Sequence, residues 1–314
     1  MEIFYTTLGR MAFLFTFIAI GYLLAKIKAV PEGSEAVLSK LESYLFIPCL
    51  VLSSFAESFT VEKLTSTGGF FVFACVLTVV MVLLSIPLGK PFAKDDFTRK
   101  ICTYGIAIAN IGFMGNAVVE AVFPHLFVDY LIFCIPINVA IYMWGVPVLL
   151  IPSSNNSIKS RLKSFLNPMF ICLFVGAVVG LTGLGKHIPA WANSVMSSAG
   201  SCMSPAAMLL TGMTVSKIDL KKTFAKLNIY ALSFLRLIII PLCFVGLMKI
   251  IPFGISETTY ICALCALSMP LGLNMVVIPG AYGKDTTVAA GMAIISHLLS
   301  CITIPIVFAI AMSI

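Results

Sequence analysis

The sequence predicts an all-α polytopic membrane protein whose ten transmembrane helices form two five-helix repeats of opposite orientation. Three observations support this fold class. The 314 residues are 60% hydrophobic and only 11% charged, and the mean hydropathy of +1.07 lies outside the range of soluble domains. Apolar segments long enough to cross a bilayer recur along the chain. Short motifs from the first half also return in the second half.

The predicted spans follow from the length of about 20 apolar residues that a membrane-crossing helix needs. They cover residues 4–25, 37–57, 68–89, 99–122, 128–151, 167–185, 192–214, 224–251, 258–281 and 286–313. The polar segment 152–166 separates the first repeat, 1–151, from the second, 167–314. We expect this segment to be a cytoplasmic linker.

The basic residues predict the orientation of the spans. Of the 20 lysines and arginines, 15 lie in or beside the loops that follow odd-numbered spans, and 4 lie on the other side. Because cytoplasmic loops are enriched in positive charge, we expect a cell-membrane protein with both termini external. The net charge of +7 is then a topology signal, and no nucleic-acid partner is predicted.

The cysteines predict neither a disulfide framework nor a metal site. Most of the 10 lie within apolar runs, where cysteine behaves as a small hydrophobic residue. The only CxxC, formed by Cys262 and Cys265, lies inside a predicted span without a second pair. No cofactor is predicted.

Three pairs of motifs recur at offsets of 157 or 158 residues. The pairs are PCLVLSSFA at Pro48 with PAAMLLTGM at Pro205, NAVV at Asn116 with NMVV at Asn274, and GVPVLL around Pro147 with TIPIVF around Pro305. Five spans per repeat make the second repeat enter the membrane from the opposite face. Inverted repeats place the substrate at the bilayer midplane between discontinuous helices, and spans four and nine are the candidates.

The candidate substrate site consists of residues that suit a lipid-facing helix poorly. They are Asn110, Gly112, Gly115 and Asn116 in span four, and Pro270, Gly272 and Asn274 in span nine. Glycine and proline weaken or break a helix, and an amide in hydrocarbon needs a partner. Half-helix N-termini and amide donors would favour a carboxylate. The alternative is that the glycines permit close helix packing and the asparagines bond neighbouring helices.

A second group of polar residues corresponds between the repeats. Asn138 in span five aligns with Ser296 in span ten at the same offset, and His297 follows Ser296. These residues could line a cation site or a proton path, because histidine titrates near neutral pH. A histidine that only satisfies helix packing is the equal alternative.

The charged residues inside or near spans have separate interpretations. Arg236 lies in a strongly apolar part of span eight, where a charge is costly and often functional. It could snorkel, pair with Asp129 or Glu120, or contact substrate. Glu120 and Asp129 flank a short external turn, and we expect both to be solvated.

Five runs resemble the auxin efflux carrier family, which includes bacterial carboxylate permeases and plant auxin carriers. The runs are NIGFMGNAVV, YLFIPCLVLSS, NVAIYMWGVPVLL, MPLGLNMVVIPGAYG and LLSCITIPIV. The resemblance implies a fold similar to bile-acid/sodium symporters, with a scaffold of spans 1, 2, 6 and 7. Spans 3–5 and 8–10 would form a moving core with two crossing broken helices, and the scaffold would mediate a homodimer.

By this resemblance, Asn110 and Asn274 match the family's asparagines in spans four and nine. The sequence departs from the family pattern near the end of the span-four motif, where a proline is usual and this chain has Asn116-Ala117. The break in span four is therefore expected to depend on Gly115 and Asn116.

The leading functional hypothesis is a secondary active transporter in membrane lipid that moves a small organic carboxylate by elevator-type alternating access. One alternative is a symporter that couples other organic solutes to sodium or protons. The sequence contains no HExxH motif, which argues against an intramembrane zinc protease. It contains no GxxxxGK[ST] loop, which argues against direct use of ATP. A channel is the remaining alternative.

Overall fold

The fold is described from a computed structural model, in which residues 2–150, 166, 168–217, 227–251, 254–281, 284 and 286–313 are described. This part of the chain is almost entirely helical. The first half forms α1 Glu2–Lys26, α2 Ser34–Leu41, α3 Ile47–Ser58, α4 Val61–Gly89, α5 Asp96–Ala107, α6 Asn116–Val122, α7 Phe127–Phe133 and α8 Ile135–Ala140. The second half forms α9 Pro168–Leu181, α10 Ala190–Ser201, α11 Met203–Ser216, α12 Leu227–Phe234, α13 Ile240–Ile250, α14 Glu257–Ser268, α15 Asn274–Ala281 and α16 Thr287–Met312.

Several consecutive helices are joined by wider π-helical turns. These turns are Glu42–Phe46 before α3, Ile111–Gly115 before α6, Ile141–Leu150 after α8 and Leu235–Ile239 before α13. Pro48 and Pro241 follow two of them, and Pro147 lies inside a third. Proline lacks an N–H and clashes with the carbonyl four residues earlier, so the helix widens there and continues beyond the proline.

Four helices among the described residues are long and apolar enough to cross a membrane. They are Ser34–Ser58, Gly68–Phe92, Leu227–Ile250 and Val288–Met312. Pro124–Phe133 and Ile135–Leu150, bent by 41°, make a fifth if they count as one span. Other apolar helices, such as Ile111–Val122 and Pro168–Leu181, are shorter. The described part of the chain is thus helical with four or five candidate spans, and the ten-span arrangement stays a prediction.

Two helix pairs form the most extensive contacts of the fold, α1 with α11 and α3 with α9. Glycines allow the backbones to approach closely in both pairs. Gly212 of α11 lies against the Ile18 backbone, and Gly176 of α9 lies so close to α3 that a Cβ there would be 2.8 Å from the Cβ of Phe55. A side chain at either glycine would force the helices apart.

The centre of the fold is formed by the short helices α5, α7 and α14. Every residue of α5 from Ile101 to Ala107 is buried, as is every residue of α7. Two buried threonine hydroxyls bond to their own helix: Thr78 donates to the Ala74 carbonyl oxygen at 2.7 Å, and Thr211 to that of Ala207 at 2.8 Å. These hydroxyls are satisfied locally and need no ligand.

The first prediction tests the glycine contact between α1 and α11. Gly212→Ala places a Cβ against the Ile18 carbonyl, and we expect a loss of about 1–3 kcal/mol of stability from overpacking. Gly246→Ala in α13 is the matched control, because nothing lies within 4 Å of a Cβ there. It should leave stability unchanged or raise it by up to about 1 kcal/mol. Thermal unfolding of both purified variants in one detergent measures the difference, and equal melting temperatures would contradict the packing.

Candidate functional site

The two helices predicted to be broken are interrupted side by side. The first break, 108–110, lies between α5 and the π-helical turn before α6, and the second, 269–273, lies between α14 and α15. Ala109 and Leu271 form an antiparallel β-bridge, and the N–H of Asn110 donates to the carbonyl oxygen of Pro270 at 2.8 Å. We call these two paired segments the crossing.

Gly272 makes the close approach at the crossing possible. A Cβ at this position would lie 3.3 Å from the carbonyl oxygen of Ile108 and 3.4 Å from that of Ala109. A larger side chain would therefore push the two extended segments apart. Glycine is needed here because the segment 108–109 lies so close.

The guanidinium of Arg236 satisfies two carbonyls that the breaks deprive of their helical partners. In a continuous helix the carbonyl of Ile106 would accept from the N–H of Asn110, but that N–H bonds to Pro270. The carbonyl of Ala266 would need the N–H that Pro270 lacks. Arg236 donates from Nη1 to Ile106 at 3.2 Å and from Nη2 to Ala266 at 3.1 Å. Its side chain is 1% exposed.

A cavity of about 380 Å³ lies against one side of the crossing. Its lining residues are Ser43, Tyr44, Ile47, Ala109, Asn110, Ile111, Gly112, Phe113, Asn138, Ile141, Tyr142, Pro168, Met169, Gly272, Leu273 and Asn274. The N-terminal ends of the π-helical turn at Ile111 and of α15 at Asn274 are thus directed to this space. Helix N-termini carry partial positive charge.

Asn110 is fixed by a buried histidine on α16. Its Nδ2 lies 3.0 Å from Nε2 of His297, and Nδ1 of His297 lies 2.7 Å from the carbonyl oxygen of Ala293. A carbonyl oxygen only accepts, so Nδ1 carries the proton and, in the neutral ring, Nε2 accepts from Asn110. No described acidic residue bonds to this ring, which is 2% exposed.

Comparison with known proteins gives the chain's family. A family model described as membrane transport protein matches residues 6–161 and 154–308. The chain belongs to this family. It is the auxin efflux carrier family indicated by the motifs, and that prediction is confirmed. An uncharacterized transporter of Schizosaccharomyces pombe is 29% identical over 101 residues, which are 32% of this chain and 22% of the relative.

Membership in the membrane transport protein family also decides two broader questions. With its apolar helices, the chain is a multi-pass membrane protein. Membership in a family of transport proteins points to a transporter and not to an enzyme, as the sequence predicted. The substrate and the mechanism of transport do not follow from membership.

Within this membrane transport protein, four of the seven predicted substrate-site residues line one cavity, and the other three lie outside it. Asn110, Gly112, Gly272 and Asn274 line the cavity, and a Cβ at Gly112 would meet no atom within 4 Å. Their role in binding stays a prediction. Pro270 contributes its carbonyl to the crossing.

Gly115 and Asn116 do not form the break in span four. The helix is interrupted upstream of them, and both residues lie in helical turns. Gly115 makes room for Tyr130, whose hydroxyl donates to the Ile111 carbonyl oxygen at 3.2 Å. Asn116 is buried beside a separate void of about 30 Å³.

The residues proposed for a cation or proton site do not meet. Asn138 lines the cavity and donates from Nδ2 to the Cys134 carbonyl oxygen at 2.9 Å. Ser296 lies behind the crossing, where its hydroxyl accepts from the N–H of Leu271 at 3.2 Å. No hydrogen bond found among the described residues joins Asn138 to Ser296 or His297.

The two acidic residues expected to be solvated lie in protected positions. Glu120 is half-buried and accepts a hydrogen bond from the Ser204 hydroxyl of α11, and Asp129 is 6% exposed. The expectation was wrong because the two residues lie on helices and not in the exposed turn. Glu120 is on α6, which packs against α1 and α11, and Asp129 is on α7, which packs against α3, α4 and α14. Arg236 donates to carbonyls at the crossing, so its described bonds serve the backbone.

Sequence reasoning missed the aromatic and hydroxyl side chains of the cavity wall, such as Ser43, Tyr44 and Tyr142. Tyr44 directly precedes the LFIPC run, and its hydroxyl within an apolar segment could have marked it as a candidate.

A larger cavity of about 810 Å³ lies elsewhere, between α3, α9 and α10, and its lining includes Glu57, Lys186 and Asn193. No residue of the crossing lines it.

The second prediction concerns Arg236. Arg236→Met leaves the Ile106 and Ala266 carbonyls without their donor, and we expect about 1–3 kcal/mol of destabilisation for each buried group. Arg236→Lys should recover part of this loss, because an ammonium keeps the charge but not the planar fork. Thermal unfolding in detergent measures both variants.

Arg99→Met provides the control for the loss of an arginine. The Arg99 side chain is 42% exposed in its ion pair with Asp96, and exposed pairs contribute about 0–1 kcal/mol. An Arg236→Met variant as stable as the parent would show that the guanidinium does not hold the crossing.

Proposed function

We propose that this membrane transport protein is a secondary active transporter that moves a small organic carboxylate across the membrane. The observation that carries the proposal is the cavity of about 380 Å³ at the crossing, lined by Asn110 and Asn274. Its volume falls within the range of about 300–1,000 Å³ that is typical of small-molecule sites. The cavity joins two helix N-terminal ends and the amide of Asn274, which together suit an anion.

The charge distribution at the crossing supports a carboxylate over a cation. Arg236 bonds the C-terminal ends of α5 and α14 and does not line the cavity. The N-terminal ends that do face the cavity attract negative charge. No aspartate or glutamate is found among the residues that line it. A carboxylate would therefore bind without the burial of an opposite full charge.

The predicted division into a scaffold and a core would allow the cavity to move across the membrane. We propose ten spans in two inverted repeats, with spans 1, 2, 6 and 7 as a scaffold and a core that slides past it as in an elevator. The contacts of α1 with α11 and α3 with α9 support such a scaffold, because they pair span 1 with 7 and span 2 with 6. The cavity is lined from both parts, by Tyr44 and Met169 on the scaffold side.

For an exported monoanion the membrane potential alone supplies about 2.3 kcal/mol per 100 mV. The alternative proposal is coupling to sodium or protons through Asn138, Ser296 and His297. Their separate positions, and the bonds of Ser296 and His297 within the protein, favour transport of the anion driven by the membrane potential over coupling to sodium or protons. We also propose a homodimer formed through the scaffold, surrounded by membrane lipid.

The third prediction tests the site. We first expect at least one of a panel of mono- and dicarboxylates to raise the melting temperature of the purified protein, because a ligand of the folded state stabilises it by about 2.7 kcal/mol at 100 times its dissociation constant. Labelled ligand should then exchange across proteoliposome membranes. Asn110→Ala combined with Asn274→Ala should reduce the initial rate at least about tenfold, equivalent to about 1.4 kcal/mol.

The control variant for this experiment is Asn193→Ala, because Asn193 is an exposed asparagine of the larger cavity. It should transport like the parent. Loss of transport in Asn193→Ala with full transport in the double variant would move the site to the larger cavity.

Repeating the assay with and without sodium, and across a pH gradient, tests ion coupling. Stable single-channel currents would favour a pore.

The fourth prediction tests topology. Alkaline phosphatase fused after the C-terminus should be active in a bacterial host, because we propose that both termini are external. Green fluorescent protein at the same position should be dark, whereas a fusion within 152–166 should fluoresce. Fluorescence at the C-terminus would contradict an even number of spans with an external N-terminus.

A further inference from the structure

The two asparagines of the cavity present different chemistry to it. Asn110 is 5% exposed, and its Nδ2 is engaged by Nε2 of His297. Its Oδ1 accepts no hydrogen bond from a described residue. Asn274 is half-buried in the cavity wall, and its side chain lies beside the hydroxyl of Tyr104. His297 therefore acts on one of the two amides only.

The orientation of the Asn110 amide follows from the chain of bonds behind it. The Ala293 carbonyl accepts from Nδ1 of His297 at 2.7 Å, which makes Nε2 the acceptor for Nδ2 of Asn110 at 3.0 Å. An amide held at its nitrogen directs its oxygen to the other side. Oδ1 of Asn110 is not fully enclosed by the protein, and Asn110 lines the cavity. A solute that fills the cavity and shields this oxygen from water must supply a donor, because a buried acceptor that meets no donor is costly.

We propose that His297 makes Asn110 a hydrogen-bond acceptor for the solute, so that the site selects organic acids that carry a hydroxyl or amino group in addition to the carboxylate. The carboxylate would lie toward Asn274 and the N-terminal end of α15, away from Oδ1 of Asn110, which repels it. His297 is a positioning residue in this arrangement, because it does not line the cavity. This inference rests on the proposed function, since it assigns the second group on the transported carboxylate.

The experiment compares pairs of acids that differ by one hydroxyl. Malate is compared with succinate, and lactate with propionate, as ligands of the full-length protein in thermal-shift titrations and as competitors of transport in proteoliposomes. The parent protein should prefer the hydroxylated member of at least one pair by about tenfold or more, because sites that hydrogen-bond a hydroxyl discriminate strongly against analogues that lack it.

Substitutions of His297 separate positioning from packing. His297→Met introduces an apolar side chain of similar length that offers no acceptor of comparable strength. The Asn110 amide is then free to turn, and the preference for the hydroxylated acid should fall to about twofold or less. His297→Gln offers both an acceptor and a donor and should keep the preference. A merely structural histidine would change stability in both variants without changing the ratio of affinities.

Substitutions in the cavity wall test the same inference and do not require the His297 variants to fold. Asn110→Ala should abolish the preference for the hydroxyl, whereas Asn274→Ala should weaken both members of a pair by a similar factor. If the parent binds both members of each pair equally well, the inference is wrong and the proposed carboxylate transport stands. If no acid of the mono- and dicarboxylate panel binds or is transported, the proposed function is overturned together with the inference.

Discussion

Every feature of the crossing depends on one constraint, which is that backbone N–H and carbonyl groups buried in a membrane protein need partners inside the protein. Pro270 cannot donate to Ala266, and Asn110 donates to Pro270 and not to Ile106. Two carbonyls are thus left open at one place, and Arg236 reaches both. The charge in span eight is explained by this need of the backbone.

This arrangement also separates the charges of the broken helices. The C-terminal ends of α5 and α14 carry partial negative charge and are bonded by a guanidinium that does not line the cavity. The N-terminal ends remain at the cavity, beside Asn110 and Asn274. In the proposed transporter an anion would therefore be attracted by these dipoles and by the Asn274 amide, without an adjacent full charge.

The sequence predicted those parts of the site that arise from local chemistry. The break near Pro270 follows from the missing N–H of proline, and the family followed from the motifs. The position of the break in span four could not be read, because 108–110 contains no proline or glycine and is held open by pairing with span nine. The burial of Asp129 and the partners of Arg236 likewise depend on distant segments. The number of spans could not be read from helix length, because broken helices fall below the length of a membrane span.

The repeat also predicted a symmetry that the site does not have. Asn116 and Asn274 correspond in sequence, yet Asn274 shares its cavity with Asn110, while Asn116 is buried beside a separate void. His297, on α16, then fixes only Asn110. The bonds of Asn110 to His297 and to Pro270 join predicted spans four, nine and ten, so these residues would move together in the proposed core. The hydrogen bond from Ser204 to Glu120 joins that core to the scaffold. A sliding core would keep the orientation of Asn110 in both end states and would have to break the bond to Glu120.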